Sequence, residues 1–159
     1  MPMYAFRATR LIAKAFEREG ICFRADRNEL FESIDVPFQM HCGPLAVIRF
    51  ISRDDDNDVA ARIYSLLCGV PAEKRERVVE ACNILNRKNR YLKFYLDLQD
   101  SVNAEYDFPL ETEDSSVGNI AGEILTRSRL ILNESGGYAM LMRAVYTDEP
   151  LSPEQVPIG

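Results

Sequence analysis

The most reactive side chains in this sequence belong to His41 and Cys42, an imidazole next to a thiol. Adjacency works against joint action. Successive side chains of a strand leave on opposite faces, so neither a Cys–His nucleophile pair nor a shared metal follows from it. His41 is the only histidine, and Cys22, Cys42, Cys68 and Cys82 stand far apart with no C-x-x-C pair. Structural zinc sites need closely spaced ligand pairs and secreted disulfide scaffolds need denser cysteine, so the thiols read as free, mostly buried small hydrophobes. Asp54, Asp56 and Asp58 alternate as in the opening of a calcium loop, but Val59 stands where glycine permits the sharp turn and Ser65 where a bidentate glutamate closes the site. A solvated acidic turn is the expectation. Glu111 with Glu113, and Glu105 with Asp107, could divide acid and base roles if unequal burial separated their pKa values. They fall in a loop and on the polar side of a strand, where such burial is not expected. Residues 118–122 run from glycine to glycine without the lysine or the preceding strand of a phosphate loop. No catalytic residue, metal ligand or cofactor motif is assigned.

Two sets of residues suit recognition better than chemistry. Arg7, Arg10, Lys14 and Arg18 fall at helical spacing on one side of the first helix. Residues 1–27 hold six Lys or Arg against three Asp or Glu, a balance of +3 that leaves −9 for the rest of a chain whose net charge is −6. That stripe is either a docking face for an acidic partner or a second copy, or a solvated helix side. Tyr91 and Tyr95 share the non-core side of their strand, where tyrosine gives large contact area with few rotors. They serve an interface or lie beneath a helix.

The elements that hold these residues follow from period and punctuation. With 159 residues, 47% apolar and 28% charged, the chain fits one folded domain, 1–146, with a Pro-containing tail, 147–159, expected to be extended or frayed. Its acidity opposes nucleic-acid binding, which depends on Lys and Arg displacing phosphate counterions. No apolar run approaches the roughly 20 residues that span a bilayer, and the N-terminal cations sit inside a helical pattern instead of ahead of an apolar block, so no membrane role and a cytoplasmic location are expected. Helical spacing covers 3–19 and stops at Gly20. Alternation then predicts strands around 34–36 and 45–51, with a hairpin at Gly43-Pro44. Residues 59–68 read as strand or helix, since alternation favours one and their Ala and Leu content the other. Pro71 opens a helix with Val78, Cys82 and Leu85 on its buried side. A hairpin spans 91–110, turning at Gln99-Asp100-Ser101, with Leu92, Phe94, Leu96 and Leu98 on its core face. A helix capped by Asp114, Ser115 or Ser116 runs from Val117 to Ile131, and Gly136-Gly137 marks a kink or a second helix up to Tyr146. The fold class is α+β: an antiparallel sheet of about five strands flanked by helices, in α-βββ-α-ββ-α order.

Asn83-Ile84-Leu85-Asn86 at a helix end, then Tyr91-Leu92-Lys93-Phe94-Tyr95-Leu96-Asp97, then Val102 through Tyr106-Asp107-Phe108-Pro109, resembles the YbjN-type bacterial sensory transduction regulators, which share the fold of type III secretion chaperones. The likeness runs over roughly 20–145 by element order, and 71–109 carries the pattern. It implies a strand for 59–68, a dimer, and binding or regulation of a protein or peptide without catalytic residues. The resulting expectation is a non-enzymatic, chaperone-like regulatory homodimer; the alternatives are a small-ligand sensor and an enzyme whose site assembles from dispersed residues.

Overall fold

The computed structural model describes residues 4–53, 58–110 and 116–156. The first helix, α1 (Arg7–Glu19), turns Ala8, Ile12, Ala15 and Phe16 inward and ends at Gly20. Its N-terminus is held from far along the chain. The Glu32 carboxylate, almost fully buried, accepts the amide protons of Ala5 at 2.7 Å and Phe6 at 3.1 Å. A negative charge there also suits the positive end of the helix dipole.

Six strands follow where about five were expected. The additional one, β1 (Arg24–Arg27), is exposed at all four positions, so it has no apolar alternation to read. It forms because Asn28 closes a turn: its Oδ1 accepts from Leu30 and Phe31, which folds Arg24–Arg27 back antiparallel onto Glu32–Asp35. Then come β2 (Phe31–Gln39), β3 (Leu45–Arg53) and β4 (Asp58–Leu67). The ambiguous span 59–68 is strand, because β4 is hydrogen-bonded on both sides, to β3 and to β6. Two neighbours outweigh a local preference for helix. After a single turn at Ala72–Lys74, α2 (Arg75–Lys88) leads to β5 (Lys93–Leu96) and β6 (Val102–Pro109). All pairings are antiparallel, in the order β1-β2-β3-β4-β6-β5, which leaves β5 at one edge.

The last hairpin is shorter than its alternation suggested. Leu98, placed on the core face from the sequence, is 91% exposed. The chain leaves the strand after Leu96 because Asp97 gathers the turn, its Oδ1 accepting from Gln99 and Ser101 and its Oδ2 from Asn103 Nδ2.

Next, α3 (Val117–Arg129) widens into a π-helical turn at Leu130–Glu134 before α4 (Gly137–Tyr146). The break falls at the glycine pair for a steric reason. Gly136 sits at φ 73°, and a Cβ on Gly137 would stand 2.5 Å from the Ile131 carbonyl oxygen. α1 packs on α3 and α2 on α4, and both pairs lie on the same side of the sheet, with the Phe16 and Phe50 rings edge to face at 5.7 Å. Inward-facing Ile34, Val36, Ile48, Phe50, Ala61, Ile63, Val102 and Ala104 join these helices in one contiguous core. Residues 148–156 are not frayed. Lys74 bonds to Asp148 at 2.6 Å, Arg77 bonds to the Glu149 carbonyl at 2.7 Å, Ser152 caps a turn at Pro153–Gln155, and Val156 is fully buried.

Candidate functional site

The sheet face turned away from the helices is made of the residues that alternate with the core. On β3, Ala46, Ile48 and Phe50 point inward, which sends Leu45, Val47, Arg49 and Ile51 out. Leu45 and Val47 remain 59% and 39% exposed. Arg49 lies directly across from Asp35 of β2 and grips it with both arms, Nε to Oδ1 at 2.9 Å and Nη2 to Oδ2 at 2.7 Å. That bond, acting against the cost of burial, raises the Arg49 pKa above its ordinary value. A second fork lies on β4. Arg62 bonds through both terminal nitrogens to Asp107 of β6, and its Nε is 3.5 Å from Glu105.

Beyond Arg62 the ladder slips. The pairing shifts between Ile63 and Leu67, Ser65 takes φ 58°, and its amide donates to Asn103 Oδ1 at 2.7 Å. This bulge lets Leu66 and Leu67 both go inward and leaves Tyr64 half exposed on the outer face. Tyr64 lies within electrostatic reach of Arg49, Arg62 and Tyr95, so the four form one patch. Burial and then the charge of Glu105 push the Tyr95 phenol above its ordinary value, so it stays protonated and can donate a hydrogen bond.

The patch combines ion pairs, phenols and apolar side chains. Its arginines are paired with carboxylates, and it presents no nucleophile beside a base. Tyrosine and arginine among apolar side chains are the residues that dominate protein interfaces. The ion pairs add little to stability, since partly exposed pairs contribute about 0–1 kcal/mol. Their effect is to hold two cations and three anions in a fixed pattern.

The residues picked out from the sequence are not brought together. Arg10, Lys14 and Arg18 are exposed on α1, on the helix side of the molecule, and two of them are engaged within the chain. Arg10 donates to the Tyr4 and Ala5 carbonyls, and Arg18 to Glu19 and Asn119. Arg7, at the first turn of α1, is partly buried. Tyr95 faces the opposite, uncovered side. Tyr91 does not share its face: β5 begins only at Lys93, and the Tyr91 ring lies against the helix layer, 5.7 Å from Tyr106, with the Arg127 guanidinium 4.5 Å above it. Sequence reading missed Arg49, Arg62 and Tyr64, whose signal was only their alternation with buried neighbours.

The remaining candidates stay apart. His41 and Cys42 are exposed in the β2–β3 connection and not in a strand, with the His41 amide bonded to Asn133 Oδ1 at 2.9 Å. Cys22, Cys42 and Cys68 are exposed and only Cys82 is buried, which corrects the expectation of mostly buried thiols. Asp54, Asp56, Glu111, Glu113, Asp114 and Ser115 lie outside the described residues. Among the described residues, no group of three or more His, Cys, Asp or Glu is placed to hold a metal ion, and no helix is long and apolar enough to cross a membrane.

Comparison with known families gives a match. The YbjN family model, described as "Putative bacterial sensory transduction regulator", matches residues 12–125. All six strands, α2 and most of α1 and α3 fall inside that span. A search of curated proteins found no match.

Proposed function

The chain belongs to the YbjN family, and from that premise we propose that it is a non-enzymatic, chaperone-like regulatory module that acts as a cytoplasmic homodimer and binds protein, with the uncovered sheet face as its contact surface. The family is a regulatory one, not a known enzyme family. The observation that carries the reading is the patch of Val47, Tyr64 and Tyr95 set among the Asp35–Arg49 and Arg62–Asp107 pairs on a face with no helix over it among the described residues. A second copy of the chain is the occupant that fits. In a two-fold contact each residue meets the same surface on its partner, and a face carrying both signs in alternation is self-complementary. Elsewhere two chains of net charge −6 repel; here the arginines nearly offset the carboxylates. The exposed thiols of Cys22, Cys42 and Cys68 suit a reducing compartment.

Sedimentation equilibrium over a dilution series tests the reading. The expected result is a dimer that dissociates on dilution, with Tyr64→Asp shifting it to a monomer that keeps the wild type's circular dichroism spectrum. A wild-type chain that is monomeric at every concentration, or a dimer indifferent to Tyr64→Asp, overturns it.

A further inference from the structure

The end of α2 carries more positive charge than the helix has use for. The last turn of α2, the residues after it and the end of α3 enclose a cleft of about 380 Å³, walled by Lys88, Arg90, Tyr91, Arg127, Leu130 and Ile131. Among the described residues its lining holds three basic side chains and no acidic one, in a chain of net charge −6.

The ordinary reason for Lys and Arg at this place is to bond the last helix carbonyls. Two of those carbonyls, and that of Asn89 just past the helix, are already served. The Leu85 carbonyl accepts from both the amide and the side chain of Asn89 at 3.0 Å, and Lys93 Nζ reaches the carbonyls of Asn86 at 2.9 Å and Asn89 at 2.6 Å. Lys88 and Arg90 have no hydrogen-bond or ion-pair partner among the described residues. The third cation is held in position. Arg127 lies over the Tyr91 ring, Tyr91 rests edge-on against Tyr106, and Glu123, one turn back on α3, steadies Arg127 Nε at 3.4 Å. Leu130, 37% exposed, and Ile131 supply an apolar wall.

We propose that this cleft binds a small phosphorylated molecule, its phosphate among Lys88, Arg90 and Arg127 and its organic part against Leu130 and Ile131. Three converging cations fit a dianion better than a monoanionic carboxylate, and the planar guanidinium fork matches phosphate oxygens in pairs. The volume lies within the roughly 300–1,000 Å³ range of small-molecule sites. Arg127, Leu130 and Ile131, three of the seven lining residues, lie beyond the segment that the family model matches.

Isothermal titration of the full chain with phenyl phosphate and with inorganic phosphate tests the site. The expected result is saturable one-to-one binding, tighter for phenyl phosphate because of the apolar wall. Lys88→Ala combined with Arg90→Ala weakens it by about tenfold or more, the usual size of losing charge-assisted contacts. Arg10→Ala combined with Lys14→Ala, which removes the same charge from α1, leaves it unchanged. No saturable binding of either probe, equal weakening by the α1 pair, or a cleft variant that binds like the wild type overturns the assignment.

Discussion

Single residues set limits on this protein in opposite ways at Cys82 and Glu32. Burial in the core pushes the Cys82 thiol up to about 12, while Cys22, Cys42 and Cys68 face solvent. Only a thiolate attacks an electrophile, so a maleimide titration of the native chain should consume three thiols and reach the fourth only in denaturant; a fourth equivalent in the native state would contradict this placement. Glu32 is a carboxylate buried by design, since it bonds the two amides that precede α1 and sits 3.6 Å from Arg27. Glu32→Ala should cost about 1–2 kcal/mol in urea unfolding, the scale of a lost helix cap, and should loosen α1 first in hydrogen exchange. No local spacing could have announced that role, because the cap and the helix lie 26 and 27 residues apart. The sequence does show that Cys82 shares a buried helix face with Val78 and Leu85.

Among the elements, the β5–β6 turn has the clearest chemistry. The Ser101 amide, then the Asn103 side chain and the Gln99 amide, hold the Asp97 carboxyl below the usual carboxylate range, with Arg75 adding attraction. A depressed folded-state pKa gives stability that is fully present above the unfolded value, about 4 for aspartate, and that disappears as pH falls through the folded value. The melting-temperature gap between wild type and Asp97→Asn should therefore be constant from neutral pH down to about 5 and close under acid below about 4. A gap that widened on acidification would refute the assignment. The elements themselves were legible where period is strong: β2, β3, β6, α2 and the break at Gly136-Gly137 all follow from spacing or punctuation. β1 was not, since a charged edge strand owes its existence to its neighbour's hydrogen bonds and buries nothing.

At the scale of the whole molecule, residues 148–156 close the core and do not trail from it. Val156, fully buried in the core cluster beyond a one-turn helix, should make Val156→Ala cost about 1–3 kcal/mol. A chain unaffected by that change would mean that the segment does not pack there in solution. Layering decides the rest: both helix pairs lie on one side of the sheet, so the other side is left without a helix over it among the described residues. The sequence by itself determined the α+β class, the helices and most strands, the resemblance to the YbjN family, and the absence of spacing for a metal or nucleophilic site, because period, punctuation and motif spacing are properties of neighbouring residues. Tertiary structure alone decided that β4 pairs with β6, that Arg49 meets Asp35 and Arg62 meets Asp107 on the uncovered face, and that Lys88, Arg90 and Arg127 converge on one cleft. Those relations join residues 14 to 51 positions apart, and register and layer coverage at such distances are set by packing of the whole chain, which no local pattern encodes.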